Sequence, residues 1–209
     1  MTNKRKALMT VLAAMLLVTM SVFGTLAYLT STDSVENTFT VGNVTITLDE
    51  ALVDANGKTI TGDGAARVDK NTYKLMPGHD YDKDPTVHVA ANSEDCYLFV
   101  KVVDEIAAIQ DAVTVANQMN ANGWTLIDAT NGIYVYGTDK DKEPTTVAKS
   151  ATITNVPVFK TFKIKGEVTN DLIAEYKDKK ITVTAYAVQK DGFENNTPAG
   201  IWNTVFNAQ

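Results

Sequence analysis

Few side chains in this sequence have the types and spacing that chemistry needs: His79 and His88, Cys96, and the alternating acids Asp80, Asp82 and Asp84. A catalytic zinc takes three protein ligands, often with two His one helical turn apart. The two histidines here stand nine positions apart, one beside a turn in "MPGHDYDKD" and one in the strand-like "TVHV", and no His-Glu-x-x-His occurs. They read as exposed polar residues. The acids of "HDYDKD" offer the oxygens that calcium takes. A calcium loop would place Gly after its third acid and Glu at its end, whereas Pro85 follows Asp84. The segment reads as a solvated acidic turn, and "TDKDKE" as a charged, soluble loop.

Cys96 opens the apolar run "CYLFVKVV" with no flanking base to lower its pKa, and it reads as a small buried hydrophobe. A single cysteine excludes an intramolecular disulfide, so this is not a disulfide-stapled scaffold. There is no Gly-x-Ser-x-Gly, no phosphate-binding loop and no dinucleotide fingerprint. Tyr97, Phe99, Trp124, Tyr134, Tyr136 and Trp202 are enough aromatics for a carbohydrate-stacking face, but most fall in strand-like segments where packing accounts for them. No nucleophile, base and orienting group come together, so the expectation is a chain with no catalytic residues, no metal and no cofactor.

The elements that would position these residues are mostly strands. From Val44 the sequence alternates, with Val44, Ile46 and Leu48 on one face, and Gly42-Asn43 marks a bulge or turn before them. Asp49 to Lys70 reads as a hairpin or exposed loop, Pro77-Gly78 as a type II turn, and Thr86 to Val89 as a short strand. Cys96 to Val103 is apolar on both faces and predicts a central strand covered on both sides. The stripe Ile106, Ile109, Ala112, Val113, Ala116 and Met119 predicts a helix with Asp104 as N-cap and Gly123 just past its end. A hairpin is expected around Ala129 to Gly132, and one strand over "VPVFKTFKIKG" with Val158, Phe162 and Ile164 inward. "TNDLIAEYKDK" reads as a short helix and "KITVTAYAVQ" as a strand. Thr197 and Pro198 open a closing helical turn that carries Ile201, Trp202, Val205 and Phe206. Seven or eight strands with one or two short helical insertions make a mainly β, antiparallel sandwich over residues 42–209.

Residues 1–27 have the three parts of a secretory signal: basic Lys4, Arg5 and Lys6, an uncharged run from Ala7 to Phe23, and the small-x-Ala site Thr25-Leu26-Ala27. Cleavage after Ala27 makes Tyr28 the new amino terminus. The uncharged run approaches the ~20 residues that span a bilayer, but Gly24-Thr25 interrupts it ahead of the cleavage site. Contact with membrane is therefore expected only through the uncleaved signal. From Tyr28 onward, 16 bases face 25 acids, a net charge of −9. That balance argues against nucleic acid or an anionic membrane surface as a partner.

The stretch "GTLAYLTSTDSVENTFTVGNVTITL" resembles the SipW-dependent signal and early mature region of the TasA/camelysin proteins of Gram-positive bacteria. The matching positions are Gly24, Thr25, Ala27, Tyr28, Asn37, Phe39, Gly42 and Val44. "MPGHDYDKDPTVHVAANSEDCYLFVKV", and "AYAVQKDGF" with the late Trp202, are similar to the downstream segments of that family. The resemblance implies an exported surface protein with a jelly-roll-like β-sandwich. It also implies a SipW-like signal peptidase as partner during export, and assembly with itself or a homologous matrix protein into extracellular fibres. In that reading residues 28–41 form a donor strand, with Leu29, Val35, Phe39 and Val41 filling grooves in the neighbouring subunit. The same resemblance leaves open a camelysin-like secreted metallopeptidase, and the aromatics leave open a monomeric adhesin or carbohydrate-binding module.

Overall fold

The computed structural model describes residues 43–111 and 115–207. They form an antiparallel β-sandwich, the mainly β fold anticipated from sequence. In chain order the strands are β1 (Ile46–Ala51), β2 (Arg67–Val68), β3 (Asp80–Asp82), β4 (Thr86–Val89), β5 (Cys96–Asp104), β6 (Trp124–Asp128), β7 (Ile133–Tyr136), β8 (Thr154–Pro157), β9 (Thr161–Lys163) and β10 (Ile181–Gln189). The helices are α1 (Val115–Ala121), α2 (Asn170–Glu175) and α3 (Pro198–Val205). One sheet has the order β2-β1-β4-β8 and the other β10-β5-β7-β6. The pair β3-β9 stands apart from both.

The period-two pattern of β5 explains the layering. Its even residues Cys96, Leu98 and Val100 face the core between the sheets, where Val87, Val89, Trp124 and Val156 join them. Its odd residues Tyr97 and Phe99 face the opposite way, into a second cluster with Ile133, Val135, Ile201 and Trp202. That second cluster exists because α3 lies over the outer face of the sheet. Thr197 caps the helix by accepting a hydrogen bond from the Gly200 N–H, and Pro198 occupies its first turn. Trp202 then packs edge-on to Tyr186, with ring centroids 5.0 Å apart. The cover runs out at the end of β5, where Val103 is exposed.

Two elements depart from the periodicity. The helix expected from Asp104 to Gly123 is broken: Ala107–Ile109 forms a single 3₁₀ turn, and Gln110 bridges to Ile164. The Asp111 N–H donates to the Lys163 carbonyl and the Lys165 N–H to the Ile109 carbonyl, so these residues extend the β3-β9 pair. Asp104 ends β5, and its carboxylate receives the Ile106 N–H and the Gln110 amide; it caps no α-helix. Among the described residues of this stretch, Val115–Ala121 is α-helical, closed by Gly123 at φ +85°. Ala112 and Val113 lie outside the described residues. The strand expected over "VPVFKTFKIKG" is likewise divided, with β8 in the first sheet and β9 paired to β3. Val158, Phe162 and Ile164 are buried as expected, and so is Phe159 at the turn between the strands.

The expectations for the Pro77-Gly78 turn, the hairpin around Ala129 to Gly132 and the two later helices hold, while Gly42 of the expected bulge or turn lies outside the described residues. Met76 to His79 makes the type II turn, with Gly78 at φ +71° and the His79 N–H donating to the Met76 carbonyl. The β6–β7 hairpin turns at Gly132, whose φ of +66° suits glycine, and an added Cβ there would sit 2.2 Å from the Val102 carbonyl oxygen. Thr169 caps α2 as Thr197 caps α3.

Candidate strand-acceptor seam

The two long sides of the sandwich are finished differently. At the β8/β6 side, side chains meet the loose backbone groups. Pro85 has no N–H to give the Val158 carbonyl, and the Asn122 amide donates to it at 3.0 Å. The Trp124 indole N–H donates to the Pro157 carbonyl at 2.9 Å. The Gln118 amide accepts the Lys160 and Thr161 N–H groups and donates to the Thr161 carbonyl. α1 is thereby tied to the β8–β9 turn.

At the β1/β10 side no such finish appears among the described residues. Thr45 and its odd-numbered neighbours point their backbone groups at β4, as the Ala90 N–H to Thr45 carbonyl bond of 2.9 Å shows. The groups of Ile46 and Leu48 therefore point off the other side of β1, where β2 pairs only with Glu50 and Ala51. On β10 the even-numbered residues bond to β5, framed by Glu105 N–H to the Lys180 carbonyl at 3.0 Å and Lys190 N–H to the Asp95 carbonyl at 2.7 Å. Ile181, Val183, Ala185 and Ala187 direct their backbone outward, and no described strand pairs with them.

Burial follows the same division. Inward residues of the interior strands, such as Val87, Leu98 and Val100, are 0% exposed. Val44 just ahead of β1, and the inward residues Ile46, Leu48, Ile181, Val183, Ala185 and Ala187 of β1 and β10, pack on the same core yet stay only half-buried. β1 and β10 approach each other across the sandwich. Between them runs an apolar seam bordered by two strand edges that no described strand pairs along their length, the type of edge to which a further strand adds.

One end of the seam opens into a cavity of about 650 Å³, lined among others by Leu48, Glu50, Asn71, Tyr73, Lys83 and Ile181. Glu50 is 4% exposed and pairs with Lys83 at 2.5 Å. Its other oxygen accepts the Asn71 N–H and the Asn71 side-chain amide. Burial, and then the Glu50 charge, push the Tyr73 phenol well above its ordinary range, and its hydroxyl donates to the Asp82 carbonyl.

The acids singled out in the sequence are not a ligand cluster. Asp82 accepts the Thr59 N–H and pairs with Lys58, and Asp84 accepts the Ala51 N–H and pairs with Arg67, so both anchor the β1–β2 hairpin. Asp80 is exposed. Neither histidine is the free surface residue expected. His79 Nε2 contacts the Asn56 carbonyl at 2.8 Å, and His88 lies between Asp49 at 2.7 Å and Asn155 at 2.6 Å. Burial raises the Asp49 carboxyl, but hydrogen bonds and charge from Arg67 and His88 outweigh it and leave the group below the usual range. Among the described residues, no three His, Cys, Asp or Glu side chains converge to hold a metal. Cys96 is buried, and burial with the Asp95 charge pushes its thiol up to about 11.

Of the aromatics, Tyr97, Phe99, Trp124 and Trp202 are buried in the two clusters. Tyr134 and Tyr136 are half-buried against the first. The cleavage residues Thr25, Ala27 and Tyr28 and the donor-strand residues Leu29, Val35, Phe39 and Val41 lie outside the described residues. The described chain begins at Asn43, one residue before the half-buried Val44. No pattern in the sequence points to the Glu50–Asn71–Lys83 cluster, because its members come from three separate segments. Comparison of the chain with protein-family models, curated proteins and solved structures found no match.

Proposed function

We propose that this chain is an exported, non-catalytic surface protein that assembles into extracellular fibres of a Gram-positive matrix. Each subunit offers its mature N-terminal segment as a strand to the seam of the next. The observation that carries this reading is the pair of edges on β1 and β10, left unpaired among the described residues, with half-buried apolar residues between them. The length fits: a partner strand for the nine residues of β10 needs about 30 Å of extended chain, and residues 28–41 reach farther than that. Head-to-tail insertion is heterologous, so it propagates into a filament unless it closes. A signal peptidase cutting after Ala27 would free the segment, so assembly would follow export. The resemblance to the TasA/camelysin proteins supports the same reading.

The test is electron microscopy of purified protein beginning at Tyr28, beside protein lacking residues 28–41. Filaments from the first and none from the second are expected. Monomers from both, across pH, salt and concentration, would overturn fibre formation by the chain alone and leave a monomeric surface module.

A further inference from the structure

Strand addition at the seam makes no use of Glu50, Asn71 and Lys83, and the chemistry of these three residues is independent of it. Glu50 is 4% exposed and the Lys83 side chain 12%. One Glu50 oxygen holds Lys83 Nζ at 2.5 Å, and the other accepts Asn71 Nδ2 at 3.0 Å and the Asn71 N–H at 2.9 Å. The Asn71 carboxamide is fixed at both ends. Its Nδ2 also donates to the Ala51 carbonyl at 2.8 Å, and its Oδ1 accepts the Val53 N–H at 3.0 Å. The surroundings are aromatic: Lys83 Nζ lies 5.9 Å from the centre of the Tyr73 ring, against which Phe162 packs at 5.3 Å. A primary amine, a primary carboxamide and a shared carboxylate are thus gathered in a nearly dry site.

We propose that Lys83 and Asn71 become joined by an isopeptide bond between Nζ and Cγ, with Glu50 carrying the protons. The reaction begins with transfer of one proton from Lys83 Nζ to the Glu50 oxygen that holds it. The free amine is then a nucleophile. Its lone pair forms a bond to Asn71 Cγ, and the carbonyl electron pair moves to Oδ1, where the Val53 N–H stabilises the developing charge. Glu50 gives its proton to Nδ2 and takes one from the attacking nitrogen. The Cγ–Nδ2 bond breaks, and ammonia leaves through the adjoining cavity. One amine and one carboxamide yield one secondary amide and one ammonia, with no oxidant or cofactor. The product ties the segment following the β1–β2 hairpin to the end of β3, and closes the loop around the Pro77-Gly78 turn.

Tryptic peptide mapping of the folded full-length chain by mass spectrometry tests this. The expected product is the peptide Asn71–Lys74 attached to the peptide that begins at Leu75, with cleavage after Lys83 blocked and the mass lower by one ammonia. Glu50→Gln and Lys83→Arg should return separate linear peptides at full mass while keeping the β-type circular dichroism of the parent. Separate, unmodified peptides from folded wild-type protein would overturn the proposal, and so would deamidated Asn71 without a link. A link that persists in Glu50→Gln would overturn the role given to Glu50. The wild-type map decides the matter even if a variant fails to fold.

Discussion

Trp124 pins the two sheets together, and its replacement tests the sandwich directly. The side chain is 0% exposed, stands 5.3 Å from the Tyr136 ring, and donates its indole N–H to the Pro157 carbonyl at 2.9 Å. That carbonyl points off the outer edge of β8, where no described strand meets it. Trp124→Phe keeps most of the buried area but leaves this part-buried carbonyl without its partner, which costs about 2 kcal/mol. Trp124→Ala adds a cavity, and large aromatic truncations of this type cost about 3–5 kcal/mol. For a domain of this size each kcal/mol moves Tm by about 2–4 °C, so Phe should lower it by about 4–8 °C and Ala by roughly twice that. Thermal unfolding followed by circular dichroism, with urea titration to check that m is unchanged, gives both numbers. Phe and Ala variants both within about 0.5 kcal/mol of the parent would mean that Trp124 does not bridge the sheets and that their packing is wrong. Equal losses from the two would locate the whole effect in the hydrogen bond.

Other predictions concern single sites. Gly132→Ala should destabilise the fold by about 2–3 kcal/mol, because the position combines positive φ with a Cβ-to-carbonyl clash; a urea midpoint unchanged from the parent would refute it. Native Cys96 should resist a thiol reagent at pH 8 and react at once in denaturant; fast labelling of native protein would refute its burial. Its folded pKa is raised, so its contribution to stability is complete below about pH 9 and is lost as pH rises toward about 11; Cys96→Ala should flatten that part of the stability-pH curve. Thr197→Ala should cost about 1 kcal/mol by removing the cap of α3, and Thr197→Ser should restore most of it.

Where local chemistry decides the structure, the sequence shows it. The alternation of β10, the two apolar faces of β5, the Pro77-Gly78 turn and the Thr197-Pro198 helix start each depend on residues within one element. Periodicity misleads where distant residues intervene. The apolar stripe from Ile106 to Met119 satisfies helical spacing, but Lys163 to Lys165 capture Gln110 and Asp111 as extended chain after the 3₁₀ turn. "VPVFKTFKIKG" reads as one strand, but burial of Phe159 turns the chain from one sheet to another. The seam is invisible in sequence because the order of strands in each sheet is set by pairings between distant segments. Lys83 reads as one residue of an acidic turn, and only the fold brings it to Glu50 and Asn71.

The pairing of β5 with β10 also constrains when the protein can fold. Its register joins Cys96 to Gln189 and Asp104 to Ile181, so the centre of the second sheet needs strands far apart in the chain. A chain emerging amino terminus first exposes the apolar faces of β5 long before β10 arrives to cover its flank. Topologies dominated by such distant pairings fold slowly, in milliseconds to seconds. The second sheet is therefore completed only once the residues of β10 are free to pair, when nearly the whole chain has been made.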